Sequence, residues 1–142
     1  MIRVALVAAG LGVVGLAAGL GWLRLTWLVV TVTGPSMRPT LLPGDRVLVR
    51  RTALDRVRAG QIVVLANETG PIIKRVAAAP GDRVPAELAI EPTDLDPEGR
   101  VPPGRLVLVG DNRAQSVDSR RHGCYDGANL VGVAVRPLRR AA

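Results

Sequence analysis

Residues 4–23 form an unbroken run of 20 uncharged, almost wholly apolar positions. As a helix rising 1.5 Å per residue, such a run reaches about 30 Å, the thickness of a bilayer's hydrocarbon core. A cleaved signal peptide carries a shorter apolar region of about 7–15 residues, and a helix packed in a soluble core is apolar on one face only. The run therefore predicts a membrane-spanning helix within an anchor at residues 1–25, with Trp22, Arg24 and Trp27 as an interfacial belt. Charge does not orient it, because Arg3 and the terminal amine flank one end while Arg24 and Arg38 flank the other.

From Thr26 the pattern changes to short stretches rich in Val, Ile and Leu, separated by Gly and Pro turns. Strands are expected over residues 26–33, 45–50, 61–66, 72–77, 105–109 and 129–135, with a short loop or helical turn over 51–60. Residues 83–104 hold Glu87, Glu91, Asp94, Asp96 and Glu98 among several prolines, which reads as a surface excursion too short for a second domain. The expectation is a mainly β catalytic domain over residues 26–142, a sandwich or a coiled sheet or barrel. With no Phe and only Trp22, Trp27 and Tyr125 as aromatics, its core must be aliphatic.

The net charge of +7 comes from 18 arginines and one lysine against 12 acidic residues. A basic balance suits nucleic acid or an anionic membrane surface. No compact basic helix, aromatic interleaving or metal-finger spacing accompanies it, so nucleic acid is not expected as a partner. A single cysteine, Cys124, excludes an internal disulfide, and with one histidine, His122, no zinc site or other metal is expected. Cys124 and His122 read as a loop thiol and a surface imidazole, lacking a third group to orient them.

The chain has three serines. Ser36 sits on the turn Gly34-Pro35-Ser36-Met37-Arg38-Pro39, where its backbone N–H can face the same point as its hydroxyl, the arrangement acyl transfer requires. Ser116 and Ser119 lie together in Gly110-Asp111-Asn112-Arg113-Ala114-Gln115-Ser116-Val117-Asp118-Ser119-Arg120. A hydroxyl nucleophile needs a base, and His122, beside a Gly-Cys turn, has no obvious partner carboxylate. Lys74 is the alternative: period two puts it on one strand face with Ile72 and Val76, while Arg75 points away. Burial against aliphatic neighbours lowers a lysine's pKa, and arginine, used at every other basic position, cannot act as a base near neutrality. The three stretches read as one active site, a Ser–Lys protease.

In order along the chain, Gly34-Pro35-Ser36-Met37-Arg38-Pro39-Thr40-Leu41, Gly44-Asp45-Arg46-Val47-Leu48-Val49, Lys74-Arg75-Val76 with Pro80-Gly81-Asp82, and the stretch from Gly110 to Arg120 resemble the sequence boxes of type I signal peptidases. The resemblance spans residues 1 to about 136. It implies Ser36 as nucleophile and Lys74 as general base, Ser116 hydrogen-bonding and orienting the lysine, Asp118 and Arg120 as a supporting ion pair, and Met37 lining the substrate-binding region. It implies no metal or cofactor, a precursor protein bound as an extended peptide, and a single-pass membrane protein whose catalytic domain lies on the outer side of the bilayer. Two positions depart from the pattern. Gly34 stands where many bacterial members carry a serine whose hydroxyl supports the Ser36 N–H at the oxyanion, and Pro35 replaces the usual small residue. The short insert between the Lys74 and Ser116 boxes is similar to mitochondrial inner-membrane peptidases and to the proteases that remove the propeptide of nickel-containing superoxide dismutase.

Three other readings stand beside the dedicated maturation protease. A general signal peptidase for secreted precursors would use the same dyad. A self-cleaving Ser–Lys repressor would need a DNA-binding helix-turn-helix where this chain has its apolar run. A catalytically inactive β domain lying on the membrane surface would not need Ser36, Lys74 and Ser116 together.

Overall fold

Among the described residues seven strands alternate with tight turns, because Val, Ile and Leu recur at period two between Gly and Pro. The computed structural model describes residues 19, 21 and 26–138. The strands are β1 (Trp27–Thr31), β2 (Arg46–Arg51), β3 (Ile62–Leu65), β4 (Ile72–Ala78), β5 (Arg105–Val109), β6 (Tyr125–Asp126) and β7 (Leu130–Leu138). They form one sheet in the order β1-β2-β7-β3-β4-β5-β6, and every ladder is antiparallel. β7, last in sequence, lies between β2 and β3. Register shifts at Leu48/Val49, Val64/Leu65 and Val76/Ala78 break three ladders. Such irregularities raise the local twist, and the sheet coils so that both its faces bury side chains.

One face carries Val30, Val32, Met37, Leu41, Val47 and Val49. The other carries Val63, Leu65, Val76, Leu106, Leu108 and Val133. Both layers are aliphatic, as the absence of Phe requires. A third, smaller cluster joins Ile90 and Val101 to Ala78 and Val107. It holds down the excursion at 83–104, which folds as two 3-10 turns, Ala86–Leu88 and Pro92–Asp94, closed by a bridge between Arg83 and Arg100.

The mainly β expectation holds, with strand ends differing by at most three residues. Two elements were not expected: the strand β6 and a single helical turn, α1 (Ser119–His122). Residues 51–60 contain one 3-10 turn, Leu54–Arg56. Of the apolar run at 4–23, only Gly19 and Gly21 are described, both helical; the rest of the expected membrane helix lies outside the described residues. Among the described residues no helix is long and apolar enough to cross a membrane.

Candidate active site

β1 leads straight to Ser36. Val32 stays beside the start of β2, donating from its N–H to the Asp45 carbonyl at 2.8 Å and accepting from Gly44 at 2.7 Å. The chain then makes one 3-10 turn, Pro35–Met37, with proline at its first helical positions, where a missing N–H costs nothing. Met37 anchors this turn, its side chain only 1% exposed among Leu41, Val47 and Ile73. Asn112 holds the turn from behind: its N–H donates to the Ser36 carbonyl at 2.9 Å and its Nδ2 to the Pro35 carbonyl at 3.2 Å. The Ser36 N–H itself makes no hydrogen bond among the described residues. Gly34 has an extended backbone (φ −113°), and a Cβ built on it meets nothing within 4 Å.

Lys74 lies in β4, opposite Val63 of β3. It is 6% exposed, on the face that also carries Ile72 and Val76. Burial pushes its pKa below the ordinary lysine value, the negative charge of Asp118 pulls it back up, and the positive charge of Arg120 lowers it. Among the described residues it belongs to no ion pair. The stretch after β5 supplies the surrounding groups. Asp118 is fully buried and collects hydrogen bonds at both oxygens: Oδ2 accepts from Ser116 Oγ at 2.5 Å, Gly110 N–H at 2.8 Å and an Arg120 terminal nitrogen at 2.6 Å. Oδ1 accepts from Arg120 Nε at 2.9 Å and Arg120 N–H at 3.2 Å. Burial alone would raise the Asp118 pKa; Arg120, the Gly110 N–H and Ser116 outweigh it and hold the carboxyl at about 2.

Gly110 lets these stretches meet. A Cβ there would fall 2.6 Å from the Ser36 carbonyl oxygen and closer still to Ser116 Oγ, so the Ser36 turn and Ser116 both rest against bare backbone at the end of β5. Next to it, Asp111 binds Arg75 through both oxygens, at 2.8 Å (Nε–Oδ1) and 2.6 Å, and accepts from Thr40 Oγ1 at 2.5 Å. Thr40 belongs to the Ser36 loop and Arg75 adjoins Lys74, so one carboxylate ties three parts of the site.

Ser36, Lys74 and Met37 line one cleft of about 450 Å³, together with Gly34, His122 and Tyr125 among others. No hydrogen bond joins Ser36 to Lys74 among the described residues. Ser116, 6% exposed, gives its proton to Asp118, leaving only its oxygen lone pairs for another partner. The pairing of Asp118 with Arg120 is present, as a buried pair and not a surface one. His122, read from sequence as an ordinary surface imidazole, is exposed but faces the cleft. Thr40, Arg75, Gly110, Asp111, Asn112 and Tyr125 had no individual role in the sequence reading. The Gly-Asp-Asn run was the only local signal for them. Among the described residues no group of three or more His, Cys, Asp or Glu side chains is placed to hold a metal ion.

A coiled antiparallel sheet thus brings a turn-borne serine and a buried lysine to one cleft. By its sequence the chain belongs to the signal peptidase family, peptidase S26, which matches residues 3–91 and 88–138. It is 31% identical over 133 residues to signal peptidase I of Bacillus caldolyticus, covering 71% of this chain and 73% of that protein. To signal peptidase IB of Staphylococcus aureus (strain COL) it is 30% identical over 138 residues, covering 72% of each. It is also 35% identical over 101 residues to mitochondrial inner membrane protease subunit 1 of Mus musculus, covering 67% of this chain and 59% of that protein.

Proposed function

We propose that the chain is a membrane-anchored serine endopeptidase with a Ser36–Lys74 dyad that removes N-terminal signal peptides or propeptides from precursor proteins. The observation that carries this reading is the burial of Lys74 in the same cleft as Ser36, with its pKa depressed. Neutral Lys74 takes the Ser36 hydroxyl proton as Oγ attacks the scissile carbonyl. The open Ser36 N–H donates to the oxyanion, helped there by the main chain of Gly34. The Lys74 ammonium then protonates the leaving amine, and water, deprotonated by Lys74, clears the acyl-enzyme. The lone pairs of Ser116 accept from Lys74 and orient it. Asp118, fixed by Arg120, holds Ser116. Met37 shapes the substrate-binding wall, and the precursor lies extended along the cleft. The apolar run at 4–23 fastens the domain to a cell membrane, with the cleft on the outer side.

The short insert between the Lys74 and Ser116 stretches favours a dedicated substrate, the propeptide of a nickel-containing superoxide dismutase. A general signal peptidase is the second reading, supported by the match to signal peptidase I over 73% of that protein's length. Cleavage by the detergent-solubilised full chain decides between them, using a secretory precursor with Ala-x-Ala before its cut site and a nickel superoxide dismutase precursor. Processing of the second alone supports the dedicated protease, and processing of the first supports the general one. Ser36→Ala and Lys74→Ala must abolish either. If both variants still cleave, the dyad is wrong.

A further inference from the structure

One part of the cleft wall is aliphatic, from Val32, Met37, Ile72, Ile73 and Val117. Asn67, His122 and Tyr125 break that pattern, and acyl transfer by Ser36 and Lys74 uses none of them. The His122 imidazole makes no hydrogen bond among the described residues, so both its nitrogens remain available to a bound chain. It is nonetheless held in a fixed place. α1 is capped by Asp118, whose carbonyl also accepts from the His122 N–H at 3.0 Å. Ser119 Oγ ties the same turn to β5 by accepting from the Leu108 N–H at 2.8 Å. At the other end Gly123, at φ +72°, turns the chain sharply, and a Cβ there would collide with the Asp94 carboxylate. A polar ring presented from an element locked at both ends discriminates better than one on a loose loop.

We infer that His122 is a specificity-determining residue: it selects precursors that place an uncharged hydrogen-bonding side chain, such as Asn, Gln, Ser or Thr, beside the scissile bond. The inference rests on the endopeptidase reading above. An imidazole presents two ring nitrogens for hydrogen bonding, which an amide or hydroxyl can meet. An aliphatic side chain in the same place strips water from the ring and returns no hydrogen bond. A carboxylate is disfavoured for a different reason. A cleft of about 450 Å³ is roughly 9 Å across, on the order of one Debye length. A negative charge within it would raise the pKa of Lys74 and keep the base protonated. A cationic side chain would enter against the field of a chain with net charge +7.

The test separates recognition from chemistry. Peptides with Ala-x-Ala before the cut carry Ala, Asn or Asp in turn at each position flanking it, and their binding to the full-chain Ser36→Ala protein is read by fluorescence anisotropy. At one position the Asn peptide binds roughly three- to tenfold more tightly than the Ala peptide, while the Asp peptide at that position is cleaved more slowly by wild type. Adding His122→Phe erases the preference, and adding His122→Gln keeps it. The inference is overturned if no position shows the preference, or if His122→Phe weakens both peptides equally. Cleavage of the same peptides by wild type, compared with Ser36→Ala, tests the underlying reading. Cleavage that depends on Ser36 without any Asn preference sinks the selectivity alone. An Asn preference in binding without such cleavage sinks the endopeptidase reading and leaves the selectivity standing.

Discussion

The carboxylate of Asp111 grips the guanidinium of Arg75 in a two-point contact, at 2.8 and 2.6 Å. Paired planar groups of this kind fix orientation as well as distance, and here they join the stretch after β5 to the strand that carries Lys74. The hydrogen bond from Arg75 is the first cause of a lowered Asp111 pKa. Asp111→Ala is expected to destabilise the fold by about 1–3 kcal/mol and to lower kcat more than it raises KM. Arg75→Lys, which keeps the charge but not the fork, recovers only part of that loss. Urea unfolding and steady-state kinetics on the same variants measure both effects.

Gly110 offers a sharper test, because the change is a single methyl group. In Gly110→Ala the new Cβ would stand 2.6 Å from the Ser36 carbonyl oxygen and nearer still to Ser116 Oγ, so one of the two must move. A loss of about 1–3 kcal/mol in stability is expected for such overpacking, with kcat/KM falling at least tenfold. Wild-type activity in this variant would show that the close packing of Ser36 and Ser116 over Gly110 does not matter.

On the proposed Ser36–Lys74 dyad, the pH profile of cleavage follows from Lys74. Its pKa is lowered, first by burial, so the active neutral amine fills in below the range of an exposed lysine. The kcat/KM therefore rises with pH through that depressed pKa and then levels off. Stability has the same sign. Between the folded and unfolded pKa values the unfolded chain binds more protons, so folding strengthens as pH rises through that window. Lys74→Arg, a cation that stays charged, abolishes cleavage at every pH.

Asp118 acts at the opposite end of the scale. Held at about 2 against an ordinary 3.8, it contributes about 2 kcal/mol above pH ~4, and this is lost as pH falls from there towards 2. Arg120→Ala leaves the carboxylate buried without its cation. The expected cost is about 3–5 kcal/mol, read from denaturant midpoints at neutral pH. In Asp118→Asn the acid-sensitive part of the stability curve flattens.

Gly34→Ser examines the departure beside the nucleophile. The backbone there suits any residue, and a Cβ meets no atom within 4 Å, so the variant folds with unchanged stability. A hydroxyl at that position adds a donor near the Ser36 N–H, and oxyanion donors are worth on the order of 10²-fold in rate. A kcat rise of roughly tenfold or more in single-turnover cleavage is the expected outcome; no rise means the main chain already saturates the site.

Much of the fold was legible from alternation. Lys74 is the clearest case: period two placed it with Ile72 and Val76, and the strand pairs on both sides, so burial followed. Alternation says nothing of elements too short to have a period, and α1, with 4 residues, and β6, with 2, went unseen. His122 lost its role for the same reason, since only α1 turns it towards the cleft. The grip of Asp111 on Arg75 depends on which strands pair. Nothing in the local sequence of either residue encodes a partner 36 positions away.

The place of β7 bears on when the site comes into being. Of the seven strands it is the last to leave the ribosome, yet it pairs with β2 on one side and β3 on the other. Before it emerges, the half of the sheet that carries Ser36 and the half that carries Lys74 share no strand pairing. A chain stopped short of residue 130 thus holds every lining residue of the cleft but joins the two halves only through contacts outside the ladders, such as Asn112 with the Ser36 carbonyl and Thr40 with Asp111. On the endopeptidase reading, a chain that lacks β7 is therefore expected to cleave poorly.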